Sequence, residues 1–328
     1  MKLVMMGTGS FAEPTFLKLL ESPHEVVGLV TQPDRATGKE RGSTRQARQG
    51  LKEIALERGV PVLQPESINT PDGASALKAL GPDLLVVAAY GQILSKEVLA
   101  VAPLGGINVH ASLLPKYRGA APINWAIYHG EAQSGVTIIR MSISLDAGDM
   151  LAQEAVDILP EESAGELEAR LSPLGARLAI EIVEKLAQGP VQGRPQDKTR
   201  VTKAPKLTKE HGLIDWSRPA AAVCNQIRAM QPWPTAYTYL HRAGLESLRL
   251  IVHRARPLDS ALPLTANHEG LVGPDMTGTQ IIVECHGCTC LAILEVQPAG
   301  KRRMSAQEFL RGNAIPPGSR MGGALATQ

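Results

Sequence analysis

A chain of 328 residues exceeds the roughly 100 to 200 residues of a usual single domain, which predicts two domains. Hydrophobic residues make up 44% but aromatics only 3%, so the core must be built mainly from Leu, Ile, Val and Ala, while 31 glycines and 24 prolines predict many turns. The formal net charge of +2 does not by itself announce a nucleic-acid binder, so local clustering must supply any basic face.

Residues 3–6 are a short apolar run ending at Gly7-Thr8-Gly9, followed by Phe11, Leu17, Leu19 and Leu20 at helical spacing, which predicts strand, turn and helix. This start shows no secretory signal, and no apolar run reaches the roughly 18 residues of a membrane span, which predicts a soluble cytoplasmic protein without membrane contact. Residues 26–30 repeat the strand signal, 49–58 are helical, and 61–63 form a brief third extended segment. Strands alternating with helices imply crossover units and a parallel sheet. Residues 83–90 lack polar alternation, as expected for a central strand covered on both faces. Residues 106–110 form another short strand, Pro122 suits the first turn of a helix ended by Gly130, and 136–142 are extended again.

Residues 166–187 form an apolar-periodic helix, with a break expected near Pro173 and a stop at Gly189-Pro190. Residues 195–219 are turn-rich and carry Lys198, Arg200, Lys203, Lys206, Lys209 and Arg218, which suits an exposed interdomain segment. Beyond it lie a helix at 220–230 and short alternating segments at 248–253, 280–285 and 289–296, a pattern that favours a small barrel. The organisation expected is a catalytic domain over 1–190, a basic linker over 191–209 and a barrel domain over 210–328.

Asn108 and His110 are two apart in a strand, so alternation puts both side chains on one face. The chain leaves that strand at Ala111-Ser112-Leu113-Leu114-Pro115, and an open parallel sheet places ligand sites at the carboxyl ends of its strands. Asp146, in Leu145-Asp146-Ala147-Gly148-Asp149, follows a later strand and can reach the same crevice. An amide, an imidazole and a carboxylate together suit acyl transfer to an amine. The first two can stabilise an oxyanion while the carboxylate orients the imidazole or accepts an amine proton.

Residues Ile107-Asn108-Val109-His110-Ala111-Ser112-Leu113-Leu114-Pro115-Lys116-Tyr117-Arg118-Gly119-Ala120-Ala121-Pro122 closely resemble the signature of methionyl-tRNA formyltransferases. The resemblance extends through Thr31-Gln32-Pro33-Asp34-Arg35, Ala88-Ala89-Tyr90-Gly91-Gln92-Ile93-Leu94, Gly135-Val136-Thr137 and Leu145-Asp146-Ala147-Gly148-Asp149. Small-substrate formyltransferases share the Asn-x-His and the distant Asp. The second-half motifs Ile214-Asp215-Trp216, Pro232-Trp233-Pro234-Thr235-Ala236 and Gln297-Pro298-Ala299-Gly300-Lys301-Arg302-Arg303-Met304-Ser305 resemble the tRNA enzymes instead.

The resemblance implies a Rossmann-like α/β formyltransferase domain with a mostly parallel sheet, followed by a smaller OB-like β-barrel. It implies Asn108, His110 and Asp146 as catalytic residues, Ser112, Leu113, Leu114 and Pro115 along a tetrahydrofolate site, and Ala88, Ala89 and Tyr90 as its pterin wall. It also implies 10-formyltetrahydrofolate as formyl donor, initiator methionyl-tRNA as partner, no metal, and a monomer. Two stretches depart from the family pattern, Gly7-Thr8-Gly9-Ser10-Phe11-Ala12 and the loop Arg41-Gly42-Ser43-Thr44-Arg45-Gln46-Ala47-Arg48. Arg41, Arg45 and Arg48 still give that loop charge for phosphates, and Lys203, Lys206 and Lys209 extend a basic path through the linker.

Other readings of the same residues compete. Gly7-x-Gly9-x-x-Ala12 with Asp34 imitates a dinucleotide fingerprint, although the same glycines serve any tight strand-to-helix turn. Four cysteines, three of them in Cys285-His286-Gly287-Cys288-Thr289-Cys290, do not read as a disulfide framework in a chain this long and fit a reducing compartment. That cluster offers soft zinc ligands but lacks a second spaced pair, so Cys288 and Cys290 read as buried strand residues. A barrel beside a basic segment also suits a non-catalytic RNA-binding module, with Trp216 and Trp233 available for stacking, although packing is the ordinary fate of tryptophan.

Overall fold

The computed structural model describes residues 1–34, 50–258 and 269–324. They divide into two compact units. One comprises Met1–Ala126, Ala132–Leu159 and Gly165–Lys206, and the other comprises Ile127–Glu131, Pro160–Ala164 and the segment from Leu207 onward.

In chain order the first unit is built from β1 (Lys2–Gly7), α1 (Glu13–Leu20), β2 (Glu25–Val30), α2 (Leu51–Glu57), β3 (Val62–Leu63), α3 (Pro71–Ala79), β4 (Leu84–Ala88), α4 (Lys96–Leu99) and β5 (Gly106–His110). It continues with β6 (Arg118–Gly119), α5 (Pro122–Tyr128), β7 (Gln133–Arg140), β8 (Met150–Asp157), α6 (Ala164–Gln188) and β9 (Lys203–Ala204). The main sheet runs β3-β2-β1-β4-β5-β7-β8; β1 to β5 are mutually parallel, and β7 and β8 are antiparallel additions at one edge. This is the mostly parallel Rossmann-like sheet expected, with β4 at its centre. Every residue of β4 is buried, which explains its unbroken apolar run. Val4, Met6, Val30, Leu85 and Val87 pack with Ile68, Leu77 and Val98, each large side chain adding about 1.5–3 kcal/mol of burial.

Two helices illustrate how local signals and packing combine. The Thr70 hydroxyl caps α3 by accepting from the Gly73 N–H at 3.1 Å, and Pro71 occupies the first turn, where its missing N–H is not needed. The break expected near Pro173 does not occur, because α6 runs unbroken through it. Leu167 and Leu171 before the proline and Ala179, Ile182 and Val183 after it are all buried, so one continuous apolar face outweighs the lost backbone bond.

The second unit contains α7 (Ala220–Ala229), β10 (Ala236–His241), β11 (Leu248–Pro257), β12 (Val272–Pro274), β13 (Ile281–Cys285), β14 (Thr289–Pro298), β15 (Met304–Ser305), α8 (Ala306–Gly312) and β16 (Arg320–Gly322). Its antiparallel sheet runs β12-β13-β14-β11-β10-β16, and β15 pairs with β14. The ends of that order meet where Val272 N–H donates to Ser319 at 3.1 Å and Met321 N–H to Gly270 at 2.7 Å, so the sheet nearly closes into the expected barrel. Closure removes the exposed edge of an open sheet.

The two tryptophans in this unit part company. Trp216 is buried, and its indole N–H donates to the Thr238 hydroxyl at 3.0 Å. The packing expected of Trp233 does not hold, since 45% of it is exposed. Cys290 lies inside β14 as expected, whereas Cys288 is half-buried in the turn before it with φ 57°. Burial pushes the neighbouring Cys285 thiol up to about 12, which leaves it an inert core residue. Among the described residues, no helix is long and apolar enough to cross a membrane, and no group of three His, Cys, Asp or Glu side chains gathers as a metal would require.

Candidate active site

Asn108 and His110 sit at the carboxyl end of β5, beside the end of β4, with Val87 opposite Asn108 in the register. His110 is nearly buried, with 5% of its side chain exposed, and Asp146 shows 10%. Asp146 arrives from the loop between β7 and β8; because β7 runs antiparallel to β5, that loop leaves beside Gly106 and Ile107 at the start of β5, and Asp146 reaches back along the strand to Asn108 and His110. All three residues singled out from the sequence therefore meet. Asn108 Nδ2 donates to Asp146 Oδ1 at 3.3 Å, and His110 Nδ1 lies 3.7 Å from Asp146 Oδ2.

The remaining bonds assign directions. His110 Nε2 lies 2.9 Å from the Tyr117 carbonyl, which can only accept, so Nε2 carries a proton. Nδ1 is then the ring atom turned toward Asp146. Its 3.7 Å separation from the carboxylate is too long for a hydrogen bond, so both groups retain capacity for a third partner. Asp146 Oδ2 also accepts from the Gly119 N–H at 2.8 Å, which ties the carboxylate to β6. Tyr117 and Asp146 have φ of 62° and 49°, conformations costing about 1–3 kcal/mol each that persist only where the surroundings impose them.

The segment from Ser112 to Pro115 is fixed by a network that is buried at Thr137 and reaches the surface at Gln153. Thr137 Oγ1 donates to the Ser112 carbonyl at 2.6 Å and accepts from Leu114 N–H at 3.2 Å, while Gln153 Nε2 donates to the Leu114 carbonyl and to Thr137 Oγ1, both at 2.9 Å. Leu114 packs on Ile139 and Met150. Ala88, Ala89 and Tyr90 follow β4 next door; Ala89 has φ 48°, and Tyr90 turns its ring into the core, where burial raises its phenol. The Tyr90 carbonyl accepts from Gln32 Nε2 at 3.0 Å. Both loops expected to hold folate thus leave neighbouring strands at the end that carries Asn108 and His110.

Of the basic residues, Lys203, Lys206 and Lys209 are exposed, while Arg41, Arg45 and Arg48 lie outside the described residues. The sequence reading missed a second basic feature on the barrel. Along β10, Ala236, Thr238 and Leu240 point inward while Tyr237, Tyr239 and His241 face outward. The Arg249 guanidinium lies 4.2 Å over the Tyr237 ring, and Lys209, Trp233, Pro234, Tyr237, Tyr239 and Arg249 line one groove. The alternating aromatics of residues 236–241 were its available signal.

Residues 1–183 match the formyl transferase family model, and residues 206–314 match the model of the formyl transferase C-terminal domain. The chain is 42% identical over 324 residues to a methionyl-tRNA formyltransferase of Bacillus licheniformis, covering 98% of each chain. The chain belongs to the methionyl-tRNA formyltransferase family. Another member, from Citrifermentans bemidjiense, is 42% identical over 323 residues, 98% of this chain and 96% of that one. Among solved structures, the N-formyltransferase from Helicobacter canadensis, in complex with folinic acid and dTDP-3-aminofucose, superposes with a TM-score of 0.66 at 15% identity over 89% of this chain and 98% of that one. That likeness carries the formyltransferase fold. The chain joins a formyl transferase domain to a formyl transferase C-terminal domain, and the Asn108, His110 and Asp146 cluster lies within the first.

Proposed function

We propose that this protein transfers the formyl group of 10-formyltetrahydrofolate to the α-amino group of initiator methionyl-tRNA, with Asn108, His110 and Asp146 as the catalytic residues. The observation that carries the reading is the convergence of an amide and an imidazole on one carboxylate at the end of β5, with Asn108 at 3.3 Å and His110 at 3.7 Å from Asp146. No side-chain nucleophile is needed, because an α-amino group of pKa near ~8 is substantially neutral at cellular pH. The amine nitrogen attacks the formyl carbon, the Asn108 N–H and His110 Nδ1–H donate to the developing oxyanion, and the C–N bond to folate then breaks. Asp146 accepts the amine proton and passes it to the departing folate nitrogen. A ring that donates from both Nδ1 and Nε2 is an imidazolium, with Asp146 as its countercharge and the Tyr117 carbonyl as its second anchor.

Ser112 to Pro115 and Ala88 to Tyr90 form the folate side of this proposal. The barrel groove around Trp233 is the RNA side within the second unit, and Lys203 and Lys206 supply exposed cations in the first. An exposed tryptophan beside two tyrosines and two cations suits an unpaired base against a phosphate backbone. Trp233→Ala is expected to raise KM for methionyl-tRNA about tenfold, as loss of one stacking platform implies, with kcat unchanged in steady-state assays.

The alternative of a non-catalytic RNA-binding module is separated by one variant. Wild-type protein is expected to convert charged initiator methionyl-tRNA to its formylated form. Asn108→Ala should lose about 100-fold or more in kcat, as removal of an oxyanion donor implies, while its tRNA affinity in filter binding stays at the wild-type value. Equal formylation by both proteins overturns the role of Asn108, and none by either overturns the function.

A further inference from the structure

Residues 194–204 read as part of an exposed interdomain linker, yet their hydrogen bonds run into the active centre. Arg194 exchanges both backbone bonds with Met150 at 2.9 Å, next to the loop that carries Asp146. At the other end, Thr202 Oγ1 accepts from Tyr117 N–H at 2.8 Å and the Thr202 carbonyl from Arg118 N–H at 2.9 Å. Ala204, paired in β9 with β6, accepts from Ala120 at 2.8 Å.

Between these ends lies Gln196, which is buried. Its Nε2 donates to the carbonyls of Asp146 and Gly148, both at 2.8 Å, and its Oε1 accepts from Arg118 Nε at 3.0 Å and from a terminal nitrogen of the same guanidinium at 2.7 Å. Both amide hydrogens and both oxygen lone pairs are used. The orientation admits no flip, because a guanidinium only donates and a carbonyl only accepts. Glutamate lacks the two donors, asparagine is one methylene short, and an aliphatic residue would leave three partly buried partners without this amide.

We infer that Gln196 is a positioning residue for formyl transfer, holding Asp146 in its left-handed conformation and in register with Asn108 and His110. Asp146 itself supplies no side-chain bond to Gln196; the hold is on its backbone, and the strained φ of 49° needs such a hold. The same amide clamps Arg118, whose neighbour Gly119 donates to the Asp146 carboxylate. Backbone and carboxylate of Asp146 are therefore set by one residue fifty positions downstream. The inference rests on the formyl-transfer reading of the site.

Gln196→Glu keeps an acceptor for Arg118 and removes both donors. Its kcat for methionyl-tRNA should fall about 10- to 100-fold, as an ångström-scale misplacement implies, with KM for both substrates within about threefold of wild type. A substrate-free readout follows from the Gly119 N–H, whose acceptor is the Asp146 carboxylate. Its hydrogen exchange, followed by NMR, should accelerate about tenfold or more as the carboxylate moves. Thr202→Val, which deprives Tyr117 of its acceptor at the other end of the strap, should lower kcat in the same way and serves if Gln196→Glu does not fold. Unchanged kcat with unchanged Gly119 exchange in a folded variant overturns the inference, as does a lowered Tm with kcat intact. If wild-type enzyme transfers no formyl group, the functional reading fails, and Gly119 exchange still decides whether Gln196 positions Asp146.

Discussion

Replacing His110 by alanine is expected to lower kcat for formyl transfer by about 1,000-fold, within the range for loss of an oxyanion donor or a general acid–base group. Affinity for tetrahydrofolate should stay within about threefold of wild type, because the two loops proposed to hold folate are anchored by Thr137 and Gln153 and by Gln32, and not by the imidazole. The substitution also leaves the Tyr117 carbonyl without its donor, at a cost of about 1–3 kcal/mol if no water replaces it. Steady-state kinetics, folate titration and thermal unfolding separate these effects. Wild-type turnover in this variant would remove His110 from the chemistry.

Gly148→Ala should be comparably damaging by a different route. A methyl group at Gly148 would overlap the backbone carbonyl oxygen of Arg140, which cannot rotate away as a side chain can. Arg140 is fixed in its turn, since its N–H donates to the Asp149 carbonyl at 2.9 Å and it pairs with Ile107 in the sheet. The loop carrying Asp146 must therefore shift, and Gly148 also accepts one of the two Gln196 donors. A loss of about 100-fold in kcat is expected from the displaced carboxylate, together with about 1–3 kcal/mol of stability from overpacking. Thermal unfolding beside single-turnover rates checks both. An alanine variant with native kcat would show that the loop tolerates displacement and that Asp146 need not be held tightly.

The elements legible in the sequence were those whose periodicity matched their burial. The apolar run at residues 83–90 became β4 because a central parallel strand is covered on both faces. The pairing of Asn108 with His110 followed from the strand period of two, whereas for Asp146 the residues alone showed only a carboxylate after a later strand within reach of the same crevice, and its catalytic role was implied by the family resemblance. Other features were not legible for physical reasons. The outer faces of β8 are largely exposed, so its sequence gives no apolar alternation. Pro173 obeys a local rule that a long buried helix face overrides. Trp233 is apolar by composition yet stands 45% exposed beside cations, a placement that hydrophobicity alone argues against. Gln196 is one polar residue in a turn-rich, basic stretch, and its partners at 118, 146 and 148 are visible only once the chain has folded.

The decisive measurement is transfer of labelled formyl from 10-formyltetrahydrofolate in the presence of charged initiator methionyl-tRNA, uncharged tRNA and free methionine, each offered alone and in competition. Label is expected on the charged tRNA only, with folate released in equal amount. Label on free methionine or another small amine, or none on the charged tRNA while folate binds, would contradict the assignment of the tRNA-borne methionyl amine as acceptor.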